Sequence, residues 1–115
     1  MRAFISAVSL CFLASLSAAA GQTTTNDYPT EARAEYVFSC MSANGQSQDI
    51  LRRCSCSIDM IASILPYEDY VAAETVLRMR LSGGERGAMF RGTPSMRLIA
   101  GELRRAEAEA EMLCF

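Results

Sequence analysis

The 115-residue sequence contains no histidine, no lysine and no tryptophan, and all 11 of its basic residues are arginine. Each absence closes a class of chemistry. Without histidine there is no imidazole base for a Ser-His-Asp triad and no imidazole metal ligand. Without lysine there is neither a Schiff-base nucleophile nor the phosphate-binding lysine of a P-loop. A net charge of −2 gives no basic footprint for nucleic acid. Beyond the first twenty residues, no apolar run approaches the roughly 20 residues that span a bilayer. No catalytic, cofactor-binding or metal-binding set is expected, and no cofactor. The length fits one small domain.

What is present begins with an export signal. Arg2 supplies a positive n-region, residues 3–16 form a short apolar run, and Ser17-Ala18-Ala19-Ala20 offers the small residues that signal peptidase reads. Residues 1–20 are expected to be a signal peptide, cleaved between Ala20 and Gly21. Removal takes Arg2 with it and shifts the net charge from −2 to −3. The expected mature protein is periplasmic and has no membrane anchor.

Of five cysteines, Cys11 leaves with the signal, and Cys40, Cys54, Cys56 and Cys114 stay. An even count in a short exported chain argues for a disulfide framework. Residues 21–29 read as a flexible polar leader and residues 30–115 as a disulfide-stapled helical domain. Thr30 is expected to cap a first helix, with Ala32, Tyr36, Val37 and Cys40 on one face and Asn44-Gly45 ending it. Ser47 caps a second, on which Leu51, Cys54, Ile58, Ile61 and Leu65 recur at helical spacing. Pro66 ends that helix and opens a third, to about Leu81, with Tyr67, Tyr70, Val71, Leu77 and Leu81 as its apolar residues. Thr93-Pro94 starts a last helix striped by Met96, Ile99, Leu103, Ala106, Ala110 and Leu113. The expected fold is all-α, a small four-helix domain with two disulfides. The run of Glu107, Glu109 and Glu111 reads as a solvated face.

Cys54 and Cys56 are two residues apart on a helix, so their side chains point about 200° apart. A bond between them is disfavoured, and each sulfur should meet a different neighbour. Because Cys54 lies on the apolar stripe nearer the turn, Cys40–Cys54 with Cys56–Cys114 is preferred, and Cys40–Cys56 with Cys54–Cys114 stays open. Chain-entropy estimates give about 3 kcal/mol for the short loop and about 4 for the long one. A redox or soft-metal role for the CxC is the functional rival.

The remaining candidate is the segment 83–92, read as a glycine-rich loop. Arg86, Met89, Phe90 and Arg91 make it a candidate partner-binding surface, since aromatic residues and arginine dominate binding hot spots.

The run Cys54-Ser55-Cys56-Ser57-Ile58-Asp59, continued by Leu65-Pro66-Tyr67-Glu68-Asp69-Tyr70 and Ala73, resembles small exported helical four-cysteine proteins of proteobacteria. Some of these are associated with periplasmic quinoprotein alcohol dehydrogenases. The resemblance implies a non-enzymatic accessory protein that binds another periplasmic protein, and it carries no catalytic residue. Small helical acid-stress chaperones of the periplasm are a second comparison, with a different cysteine pattern.

Overall fold

A computed structural model of the chain describes residues 27–115. The expected signal peptide and residues 21–26 of the expected leader lie outside the described residues. Five helices follow one another: α1 (Thr30–Asn44), α2 (Gln48–Ile64), α3 (Tyr67–Arg80), α4 (Gly84–Gly92) and α5 (Pro94–Cys114). No strand occurs among the described residues. The fold is therefore all-α, with one helix more than the four expected. No helix of the described residues is long and apolar enough to cross a membrane.

Helix α2 is the hub. The Ser47 hydroxyl accepts a hydrogen bond from the Ile50 N–H at 3.2 Å, capping it. Its stripe buries Cys54, Ile58 and Ile61, with Leu65 just beyond the last turn. Leu51, one turn before Cys54, is only half-buried. Helix α5 presents Ala100, Leu103, Ala106 and Ala110 to the core. Three of these are alanines, and small side chains let α2 and α3 approach its backbone closely. Leu113, the last residue of the expected stripe, is exposed. The inward residues of α3 are Tyr70, Ala73 and Val76 rather than Val71 and Leu81, which face solvent.

Two disulfides tie the hub to its neighbours. Cys40–Cys54 joins α1 to α2, and Cys56–Cys114 joins α2 to the end of α5, each with Cα atoms 5.8 Å apart. This is the preferred pairing: the opposed directions of Cys54 and Cys56 keep them from bonding to each other, and Cys54, on the buried stripe nearer the turn, meets Cys40. Beside the second bond, the Arg53 guanidinium donates to the Phe115 carbonyl at 3.0 Å and lies over its ring.

The core begins earlier than residue 30. Tyr28 is 5% exposed, and its hydroxyl donates to the Leu65 carbonyl at 2.9 Å. Its ring packs against Tyr67 and Tyr70 at 5.1 and 5.0 Å between centroids. The Asp27 carboxylate accepts from the Tyr67 N–H, capping α3 from 40 residues away in sequence. Pro29, extended, takes the N-cap position of α1, so Thr30 enters the helix without capping it.

Residues 84–92 form a helix, not a loop, despite their glycines. Tertiary contacts offset the poor helix propensity of glycine. Arg80 Nε donates to the Phe90 carbonyl at 3.0 Å, and Arg91 Nη1 donates back to the Arg80 carbonyl at 2.7 Å. The Thr93 hydroxyl donates to the Met89 carbonyl and closes the helix. Gly87 is buried at the α3–α4 corner, where a Cβ would stand 1.8 Å from the Ser82 carbonyl oxygen. Only glycine fits that approach.

Two substitutions test this packing in urea melts. Ile61→Ala should lose about 2–5 kcal/mol, the range for a buried truncation. Gly87→Ala should lose about 1–3 kcal/mol, because the corner must open to admit the methyl group. A loss below half of the lower bound in either case would contradict the placement of that residue.

Candidate functional site

Helix α1 buries none of its residues completely. Its half-buried face, Ala32, Tyr36, Val37 and Cys40, rests on α2. Two hollows flank it and share Tyr36 as a wall. One, of about 250 Å³, lies between α1 and α3 and is lined by Glu35, Tyr36, Tyr67, Tyr70, Glu74 and Arg78. The other, of about 240 Å³, lies between α1 and α5 and includes Asn44, Ser57, Glu107 and Glu111. A more apolar hollow of about 420 Å³ sits on the far side, where Leu65 and Pro66 face Leu98 and Ile99.

The hollows beside α1 are acidic and aromatic. Burial raises the Tyr70 phenol well above its ordinary value, and the charges of Glu74, Glu107 and Glu35 add to the effect. Tyr36 is raised by burial and by Glu107, Glu74 and Glu111, with a hydrogen bond to Ser57 pulling the other way. Both phenols therefore stay protonated and can donate. Glu107 is itself raised, first by burial and then by Glu74, while Arg104 opposes the shift. The expected solvated face is thus solvated only in part: Glu107 turns inward toward Tyr36, whereas Glu109 and Glu111 are exposed.

One cation reaches the α1–α3 groove. Arg78 lies 3.5 Å from Glu35 on α1 and 3.6 Å from Glu74 on its own helix. Exposed pairs of this kind contribute about 0–1 kcal/mol. They latch the groove weakly. Among the described residues, no three acidic or cysteine side chains converge as a metal site would require. All four cysteines of the described residues are bonded, so the CxC holds no thiolate in this state. Phenol donors, carboxylates and aromatic faces in one groove suit recognition of a polar, positively charged group.

The residues proposed from the sequence lie elsewhere, on α4. Arg86 and Met89 are exposed, three residues apart on one helix face. Phe90 is half-buried, and its carbonyl is held by Arg80. The Arg91 guanidinium is engaged by the Arg80 and Ser82 carbonyls. The segment is not free to order itself on binding, and Arg91 serves the corner of the fold. Tyr67 and Tyr70 pack over the helix junction with Tyr28.

No protein-family model, curated protein or solved structure matches the chain.

The inward Glu107 makes stability pH-dependent with a definite sign. Its folded pKa lies above its unfolded value, so the folded state holds the proton longer. The penalty of the charged form is absent below the ordinary glutamate value of about 4.3 and grows as pH rises through the raised value. Glu107→Gln should therefore raise the melting temperature near neutral pH. In acid near or below the ordinary value, the variant and the parent should melt alike. A variant less stable at neutral pH would show that the charge is favourably paired.

Proposed function

We propose that the chain is a non-enzymatic periplasmic accessory protein that acts through protein–protein contacts, its export directed by residues 1–20. The observation that carries this reading is the way α1 is held. The helix is fixed near one end by Cys40–Cys54 and preceded by the buried Tyr28, yet it buries no residue fully between them. A helix retained by its ends leaves a ready-formed groove where a partner's side chains can enter against α3. Two disulfides suit an oxidising compartment. The sequence resemblance suggests the partner class, an exported dehydrogenase of the quinoprotein type.

Two surfaces compete for this role, the α1–α3 groove and the exposed Arg86 and Met89 of α4. The groove is favoured because its polar groups already converge on one hollow. Cross-linked capture of periplasmic proteins by tagged, oxidised protein tests the choice. The paired change Glu35→Arg with Glu74→Arg should reduce capture at least tenfold. The paired change Arg86→Ala with Met89→Ala should leave it within about twofold, since rim contacts usually contribute little. The opposite ranking would move the contact to α4. Equal capture by both variants and the parent would contradict a role for either surface.

A further inference from the structure

We propose that the groove between α1 and α3 receives an arginine or lysine side chain of a partner protein, seated where Arg78 now spans Glu35 and Glu74. The inference rests on the binding role argued above and names the chemistry of the bound group.

The first observation is the character of the groove. Glu35 stands on one wall and Glu74 on the other, with Tyr36, Tyr67 and Tyr70 between them. The faces of tyrosine rings attract cations, and the effect grows as the site becomes dry.

The second observation is independent of the carboxylates. Tyr70 is 9% exposed and lines the groove, yet its hydroxyl has no hydrogen-bond partner among the described residues. The ring is buried but the hydroxyl oxygen is not sealed off, so it is open to a group that enters the groove. Its surroundings are Glu74, Tyr36, Glu107 and Glu35, all acidic. What the position lacks is a second positive charge beside Arg78, and an incoming cation supplies one with N–H donors for the carboxylates and the phenol oxygen. A guanidinium carries five N–H donors in a plane, enough to serve Glu35, Glu74 and the Tyr70 oxygen together.

Arg78 marks the place without filling it. Its distances of 3.5 and 3.6 Å exceed the roughly 2.7–2.9 Å of a well-formed charge-assisted bond. Its side chain remains 67% exposed. An incoming guanidinium or ammonium can therefore displace it at small cost. An organic cation is favoured over a metal ion, because the acidic groups do not converge at coordinating distance.

The composition supplies the assay. The chain has four tyrosines and no tryptophan. Tyr36, Tyr67 and Tyr70 line the groove, and Tyr28 packs against two of them. Tyrosine fluorescence of the oxidised protein therefore reports on this groove, and because Tyr36 also walls the α1–α5 hollow, the Glu35 and Glu74 variant assigns the signal to the groove. The probe is an acetylated, amidated Gly-Arg-Gly-Arg-Gly peptide, with its citrulline analogue as the neutral control. The arginine peptide should change the emission saturably, and the citrulline peptide should not. Arg78→Gln should tighten binding about two- to fivefold by removing the internal competitor, the change expected for exposed ion pairs. Tyr70→Phe should weaken it about tenfold, as for a hydrogen bond to a charged group. Glu35→Gln with Glu74→Gln should abolish it. Melting curves establish which variants fold, and if Tyr70→Phe does not, the Arg78→Gln result decides. Equal response to both peptides, or no saturation with either the parent or Arg78→Gln, overturns the proposal. If capture of a periplasmic partner persists while the arginine peptide fails to bind, this inference falls and the binding role stands. If the peptide binds and no partner is captured, the site stands and the binding role falls.

Discussion

The structure depends on a single helix, α2, being bonded on two sides. Cys54 and Cys56 leave it in opposed directions, one toward α1 and the other toward the end of α5. The loops they close span 14 and 58 residues. By the chain-entropy estimate they contribute about 3 and 4 kcal/mol, comparable to the whole stability of a small domain. Such reinforcement matters in a core built from a few large side chains, Tyr28, Ile58, Ile61, Leu65, Tyr70 and Leu103, and several alanines. It matters most for α1, which contributes no fully buried residue and would have little to hold it otherwise.

The groove is a consequence of that economy. Because α1 is retained by a disulfide and by the preceding Tyr28, it need not press against α3 and α5. Polar and aromatic side chains occupy the space left open: Tyr36 divides the two hollows, and Glu35, Glu74 and Glu107 surround it. Closely packed helices would have excluded these groups or forced them to pair. Here they remain in partial contact with solvent, which is why Arg78 reaches only loosely between two of them.

The parts of the fold legible in the sequence are those governed by local periodicity. The α2 stripe, the Ser47 cap, the Asn44-Gly45 stop and the all-α class follow from spacing and capping chemistry. The same geometry excluded a Cys54–Cys56 bond, since a helix turns about 200° between them, but it left two pairings open, and only the packing of α1 and α5 on α2 decides between them. What was not legible depends on contacts distant in sequence. The α4 helix looked like a loop because glycine disfavours helices, and the Arg80 and Arg91 bonds that stabilise it cross 10 and 11 residues. Tyr28 looked like leader because its partners, Leu65, Tyr67 and Tyr70, lie about forty residues away. Glu107 looked solvated because its neighbours Glu109 and Glu111 are, and only the third dimension turns it toward Tyr36. The groove combines α1 with α3, so no local window contains it. Its α3 wall, Tyr67 and Tyr70, reads in the sequence only as part of the apolar character of that helix.

The most direct test of the account is the covalent map of the oxidised protein. Trypsin should release residues 34–52, 54–78 and 106–115 as one assembly joined by two disulfides. Fragmentation of that assembly between Cys54 and Cys56 should leave residues 34–52 attached at Cys54 and residues 106–115 attached at Cys56. A bond between Cys54 and Cys56, or the reverse attachment, would contradict the arrangement of helices around α2 and with it the groove that α1 defines.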